Sequence, residues 1–244
     1  MNLPGSRPIR EGMKLSLHKK VLLSMGVVAG IGALAGAGTF ASFTAQTSNP
    51  SNTFADGTLV LSNKVGTNTA CLSTGGGTTD TNVNGTCNTA LNLAVKAPGD
   101  SGTANLTLQN KGSLPASDLA LFADACSNGD AAGENFHGTG NPCTVVQLYV
   151  QQYSDSGFTH PSACLYGGSA DSGVTCDFSD ATKTLGSFAT TYSALGAAVS
   201  AGPLAAAGSG DTTWIKVGVM LPSTAGNTYQ GRAASVALNW HITQ

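Results

Sequence analysis

The sequence is poor in charged and aromatic side chains, which make up 10% and 6% of its 244 residues. After residue 41 it contains a single glutamate, Glu134. Glu and Lys have high helix propensity and commonly occupy the exposed positions of helices, so their scarcity disfavours a helical domain. The abundance of Gly, Ser, Thr, Asn and Val instead indicates short strands joined by turns, with a core built mainly from Leu, Val and Ala.

The chain also lacks a basic patch beyond its N-terminus. Five of its 11 basic residues lie before residue 21, and the other 224 residues carry six basic against 12 acidic groups, a formal net charge of −6. Binding to nucleic acid depends on clustered Lys and Arg that neutralise phosphates. We therefore expect no nucleic-acid partner.

Motifs of common catalytic and metal sites are missing as well. The sequence contains no His-Glu-x-x-His, Cys-x-x-Cys or Gly-x-Ser-x-Gly, which would supply zinc ligands or a serine nucleophile. We therefore assign no catalytic residue, cofactor or metal ligand. The alternative is a divalent-metal site of Asp130, Glu134 and His137, but this Gly-rich stretch is better interpreted as a surface loop. His241 falls on the polar phase of the last strand and is predicted to be exposed.

The N-terminus has the features of an export signal. Lys19 and Lys20 precede an uncharged run of apolar and small residues, Val21–Ala41. A positive flank, an apolar stretch and a small-x-small exit predict a signal helix, with cleavage between Ala41 and Ser42. Residues 1–41 are then the signal peptide.

Two alternatives concern this segment. The run is about long enough to span a bilayer, so it could be kept as an anchor, although its centre is rich in Gly and Ala. Met13 also begins a more conventional signal peptide than Met1 does.

Six cysteines follow the predicted cleavage site: Cys71, Cys87, Cys126, Cys143, Cys164 and Cys176. An even number of cysteines in an exported chain predicts disulfides, and their connectivity is open at this point. The simplest pairing joins sequence neighbours, because each such pair brackets a Gly-, Asn- or Ser-rich stretch. A zinc site is the alternative, without the usual ligand spacing.

Alternating apolar and polar residues predict strands along the rest of the chain. Their apolar phases are Leu59 and Leu61; Leu91, Leu93 and Val95; Leu106 and Leu108; Leu119 and Leu121; Val146, Leu148 and Val150; Ile215, Val217 and Val219; and Val236, Leu238, Trp240 and Ile242. Segment 154–180 is predicted to be irregular, and the Ala-rich segment 190–207 to be a short helix or loop. Together these patterns predict one all-β domain over 54–244, an antiparallel β-sandwich of jelly-roll-like topology with disulfide-stapled loops.

Several short motifs resemble one known family. They are Gly38-Thr-Phe-Ala-Ser-Phe43 followed by Asn52-Thr-Phe-Ala-Asp-Gly-Thr-Leu-Val-Leu61, then Pro98-Gly-Asp100 with Leu106-Thr-Leu-Gln-Asn-Lys-Gly-Ser-Leu114, and Asn227-Thr-Tyr-Gln-Gly231. In this order they are similar to the motifs of the TasA/camelysin family, whose members are exported through a SipW-type signal peptidase. The segment from Cys126 to Ser187 has no counterpart, and six cysteines depart from the cysteine-poor pattern of TasA.

The resemblance implies a secreted jelly-roll subunit of biofilm matrix or surface fibres. In TasA-like fibres the new N-terminal segment adds as a strand to the next subunit. Here that donor would be segment 42–53, with Phe43 and Ala45 as alternate-facing residues and Pro50 as its end. The implied partners are other copies of the chain, matrix or cell-wall components and the signal peptidase.

Three alternatives accompany this interpretation. Camelysins carry a metallopeptidase label, so the resemblance also permits a metalloendopeptidase. A monomeric cell-surface adhesin or binding module that uses the Cys-bounded loops is the third function considered. Segment 42–53 could also be a solvated leader instead of a donor strand.

Overall fold

The computed structural model describes residues 57–75, 84–88, 97–169 and 173–244, and the regular secondary structure of these residues is mostly β-strand. They belong to a unit that extends from Asp56 to Gln244. The predicted signal segment 1–41, the segment 42–53 and the predicted strand around Leu91, Leu93 and Val95 lie outside the described residues.

The described elements are numbered in chain order. The strands are β1 (Leu61–Val65), β2 (Cys71–Leu72), β3 (Ser101–Asn110), β4 (Asp118–Ala123), β5 (Ser127–Asp130), β6 (Gln147–Tyr153), β7 (Pro161–Tyr166), β8 (Gly168–Ser169), β9 (Cys176–Asp177), β10 (Val199–Ser200), β11 (Thr212–Met220), β12 (Arg232–Ser235) and β13 (Leu238–Thr243). The α-helix α1 spans Leu185–Thr191, and 3-10 helices occupy Ser73–Gly75, Pro142–Thr144, Leu195–Ala197 and Asn227–Tyr229.

The larger sheet has six strands in the order β2-β1-β3-β11-β6-β7. Its central pair, β3 and β11, runs in register from Gln109 opposite Thr212 to Ser101 opposite Met220. The pairings between the described strands are antiparallel. The strands predicted from the alternation around Leu106, Val150 and Val217 are confirmed, because each apolar phase lies on one buried face.

A smaller sheet, β10-β4-β13, shares its core with the larger sheet. Leu119 and Leu121 of β4 belong to the same buried cluster as Leu106, Leu148 and Ile215 of the larger sheet. The prediction of a mostly β fold with antiparallel sheets is therefore confirmed. Two further strand pairs, β5 with β12 and β8 with β9, lie outside both sheets.

The helix lies earlier in the chain than predicted. Segment 190–207 was predicted as a short helix or loop, whereas α1 begins at Leu185 after Thr184, whose side chain forms a capping box with Ser187. Leu185, Phe188 and Ala189 are buried at helical spacing. The Ala-rich segment beyond it contains the 3-10 helix Leu195–Ala197 and the two-residue strand β10, and Gly202 and Pro203 do not favour a longer helix.

Two stretches predicted as loops contain strands. The Cys126–Cys143 stretch includes β5, and the segment 154–180, predicted to be irregular, includes β7, β8 and β9. These strands are short or rich in small and polar residues, so their side chains lack the alternation that marks a half-buried strand. Among the described residues, no helix has the length and apolar character needed to cross a bilayer.

Candidate strand-acceptor edge

The last strand, β13, lies at an edge of the smaller sheet. It pairs with β4, with Leu238 opposite Ala123 and Thr243 opposite Asp118, and no second strand within the described ranges pairs with it. An edge strand presents a row of N–H and C=O groups that can template pairing with another chain. The open side of β13 is therefore the candidate site.

Hydrogen bonds on the other side of β4 establish which backbone groups face β13. Leu119 donates its N–H to Gly202 O at 2.8 Å and accepts from Ala201 N at 2.7 Å, so its groups face β10. Successive residues of a strand direct their backbone groups to opposite sides. Ala120 and Phe122 therefore direct theirs towards β13.

The register between β4 and β13 shows which residues of β13 face β4. His241 and Asn239 lie opposite Ala120 and Phe122 and direct their N–H and C=O groups towards β4. The intervening residues direct their backbone groups away from β4, to the open edge. These residues are Leu238, Trp240 and Ile242.

The same three residues provide apolar side chains. Leu238, Trp240 and Ile242 are half-buried and pack against the core that the two sheets share. A strand added at this edge would extend the sheet and place alternate side chains next to them. The edge thus combines main-chain hydrogen-bonding groups with apolar surface.

The outer edge of β7, the other six-residue strand at a sheet edge, is less suited to pairing. β7 begins with Pro161, and its pairing with β6 has register shifts between Val150 and Gln151 and between Gln152 and Tyr153. Proline and bulges are devices that protect edge strands. β13 contains neither a proline nor a register shift, and it carries no Asp, Glu, Lys or Arg.

His241 is half-buried, and its Nδ1 atom is enclosed without a hydrogen-bond partner among the described residues. The prediction of an exposed sheet residue was therefore wrong. Alternation assigns a side chain to one face of a strand but does not determine whether that face is covered.

The loop considered as a metal site contains one ion-paired cluster. His137 Nδ1 lies 2.7 Å from Gly231 O and 3.8 Å from a carboxylate oxygen of Asp130. Arg232 donates to the same carboxylate and to Asn128 Oδ1. Asp130 is thus paired with a guanidinium that joins β12 to β5, and within the described parts of the chain no three His, Cys, Asp or Glu side chains are grouped to hold a metal.

The six cysteines form three disulfides between sequence neighbours, as in the simplest pairing. Cys71 bonds Cys87, Cys126 bonds Cys143, and Cys164 bonds Cys176. The second bond connects the start of the β5 segment to the 3-10 helix at Pro142–Thr144, and the third connects β7 to β9. The predicted disulfides are confirmed.

The other predicted site residues cannot be located relative to this edge. Ala41 and Ser42 at the predicted cleavage site, and Phe43 and Ala45 of the predicted donor, lie outside the described residues. Sequence reasoning placed Leu238, Trp240 and Ile242 on a buried phase but did not identify β13 as an edge. The residue pattern of β13 does not distinguish it from the interior strands β3 and β6, which also carry no Asp, Glu, Lys or Arg.

Comparison with known proteins adds no further assignment. No protein-family model matches the sequence, and no curated protein is significantly similar to it.

Proposed function

We propose that the mature protein is a secreted structural subunit of extracellular matrix or surface fibres. Each subunit would insert its N-terminal segment, 42–53, as a strand along the β13 edge of the next subunit. The observation that carries this proposal is the open side of β13, with its alternating backbone groups and half-buried apolar side chains. The motif resemblance to the TasA/camelysin family supports it.

The proposed donor has the length that the edge requires. β13 has six residues, about 20 Å at 3.3 Å per residue, and eight residues precede Pro50 in the donor. Phe43 and Ala45 are two positions apart, so both would face the same side, next to the apolar side chains of β13. Pro50 has no N–H and would end the pairing.

A jelly-roll topology is part of the proposal. The chain passes repeatedly between the sheets, from β3 in the larger to β4 in the smaller, back to β6 and β7, then to β10, β11 and finally β13. Repeated crossing between two antiparallel sheets is typical of Greek-key and jelly-roll sandwiches.

Secretion is proposed from the disulfides and the N-terminus. Three disulfides are compatible with an oxidising compartment. They follow a segment with the charge and hydropathy pattern of an export signal. Cleavage after Ala41 would make Ser42 the first residue of the fibre-forming chain.

A proline at the edge tests the proposal most directly. The Ile242 N–H points away from β4, so Ile242→Pro should keep the β4 pairing while it removes a donor from the open side. We expect a folded protein that no longer forms filaments, measured by electron microscopy and light scattering of mature protein. Ile242→Ala is the matched control, because it shortens the side chain but keeps the N–H, and it should still elongate.

Deletion of residues 42–53 tests the other half of the pairing. The truncated protein should have the circular dichroism spectrum of the full mature chain and remain monomeric at all concentrations. Filaments of normal length from the truncated protein, or from Ile242→Pro, would contradict strand addition at this edge.

A further inference from the structure

The outer face of the larger sheet carries a cross-strand row of chemically distinct residues. In register, Lys64 of β1 lies beside Thr107 of β3, Thr107 beside Trp214 of β11, and Trp214 beside Tyr153 of β6. At about 4.8 Å between strands, the row spans about 14 Å. These side chains alternate with the buried phase, so they lie on the face opposite the core.

At the Tyr153 end of the row, the rings of Tyr153 and Phe158 lie next to the ammonium group of Lys216. The Lys216 ammonium lies 4.8 Å from the ring centre of Tyr153 and 5.8 Å from that of Phe158. The two rings meet edge to face at 5.6 Å. These three side chains and the neighbouring Trp214 are half-buried, so part of the surface of each is in contact with water.

Phe158 is held in this cluster by an unusual turn. Its φ of 56° lies in the left-handed region, which is rare for a residue other than Gly, Asn or Asp. The Asp155 carboxylate accepts from the N–H groups of Gly157, Thr159 and His160, which fixes the turn. Desolvation alone would raise the pKa of Asp155, but the hydrogen bonds from His160 and Thr159 lower it to about 2.

Lys64 and Lys216 are the charged side chains on the outer phase of β1, β3, β11 and β6. The Asp155 carboxylate lies in the turn that carries Phe158, and the Asp211 carboxylate accepts a hydrogen bond from Gln109 Nε2 near the end of β3. An anionic ligand would therefore be held by direct pairing with the two lysines and not by the net charge of the face. Flat aromatic rings favour contact with the apolar C–H faces of ring-shaped groups, and Thr107 adds a hydroxyl that can donate and accept.

We propose that Lys64, Thr107, Trp214, Lys216, Tyr153 and Phe158 form a binding site for an acidic polysaccharide. A sugar ring would stack on Trp214, and uronic-acid carboxylates would pair with Lys64 and with Lys216, whose ammonium the Tyr153 ring positions. An extended chain of linked sugars suits a row that crosses four strands. The proposal does not depend on strand addition, because its residues lie on the larger sheet or in the turn between β6 and β7, and β13 lies in the smaller sheet.

Binding of alginate, a polymer of uronic acids, to the mature protein tests this proposal. The chain has two tryptophans, Trp214 and Trp240, so the emission of a Trp240→Phe variant reports Trp214 alone. We expect alginate to change that emission saturably and to retard unmodified protein in affinity electrophoresis. Binding should weaken as salt is raised, because the lysine contacts are exposed to screening.

Substitutions locate the site. Trp214→Ala and Tyr153→Ala should each weaken alginate binding by about ten-fold or more. The double variant Lys64→Gln/Lys216→Gln should remove the dependence of alginate binding on salt concentration. Phe136→Ala is the matched control, because that aromatic residue is 59% exposed and lies outside the row. Thermal unfolding of each variant separates lost binding from lost folding.

Three results would overturn the proposal. They are no alginate binding by the unmodified protein, unchanged binding in folded Trp214→Ala and Tyr153→Ala, and equal binding of the neutral polymer dextran. None of them would affect the filament tests on Ile242→Pro, so failure of this proposal is distinguishable from failure of the proposed function.

Discussion

Gln151 shows how a single polar residue can organise the outside of a sheet. Its side chain is 1% exposed although it lies on the outer phase of β6. The amide nitrogen lies 2.8 Å from the carbonyl oxygens of Gln152, Ala163 and Val174, which share its two hydrogens, and the amide oxygen accepts from Cys176 N. One amide thus connects β6, β7 and the segment before β9.

Replacing Gln151 with Met should destabilise the domain by about 2–4 kcal/mol. Met has nearly the same shape, but it removes this partner from the Cys176 N–H and from the carbonyl groups. A buried group left unpaired costs about 1–3 kcal/mol, so the expected loss corresponds to one or two of these groups finding no other partner. Urea unfolding followed by circular dichroism measures the change. Gln230→Met, at an exposed position, is the control and should change stability by less than about 0.5 kcal/mol. Equal stability of the two variants would show that the Gln151 network contributes little.

Residues such as Gln151 and His241 mark the limit of prediction at this scale. Alternation places both side chains on an outer phase, and for His241 the polar phase was taken to mean exposure. Both are instead covered, and for Gln151 the cover is the Cys164–Cys176 segment. The residues of a strand do not indicate which distant segment of the chain packs over it, so this burial could not be predicted from the sequence.

At the scale of elements, the long apolar strands were predictable and the short polar ones were not. β3 and β11 each bury one alternating phase, so their period is visible in the sequence. β5 has the sequence Ser-Asn-Gly-Asp and pairs with β12, where Arg232 bonds to Asp130 and Asn128. A strand held by polar cross-strand contacts has no hydrophobic period to reveal it.

The disulfide between Cys164 and Cys176 should contribute more to stability than its loop length alone suggests. With a sequence separation of 12, the chain-entropy contribution is about 3 kcal/mol. The bond also anchors the segment that pairs with Gln151, so the double variant Cys164→Ala/Cys176→Ala should lose those hydrogen bonds as well. We expect a loss larger than about 3 kcal/mol in urea unfolding.

The Cys71–Cys87 bond provides the comparison for that measurement. Its separation is 16, so the chain-entropy contribution is again about 3 kcal/mol. Cys71→Ala/Cys87→Ala should therefore be the less damaging double variant. The reverse order would mean that the Gln151 contacts persist without the Cys164–Cys176 bond.

For the whole molecule, the proposed contacts lie on different sheets. The edge of β13 belongs to the smaller sheet, and the row from Lys64 to Tyr153 belongs to the larger one. A subunit with both contacts could extend a fibre through one and bind polysaccharide through the other. Main-chain pairing is nearly independent of salt, whereas binding through lysines is not, so the two contacts should respond differently to ionic strength.

Strand addition also predicts that the donor stabilises the domain when supplied as a separate peptide. A ligand that binds only the folded state stabilises it by about 2.7 kcal/mol at 100 times its dissociation constant. A peptide of residues 42–53 should therefore raise the unfolding midpoint of the 54–244 domain in a concentration-dependent way. The same peptide with Ala45→Pro should have no effect, because it loses an N–H within the pairing. The domain with Ile242→Pro should not respond to either peptide, and an equal shift in that variant would place the peptide elsewhere than on β13.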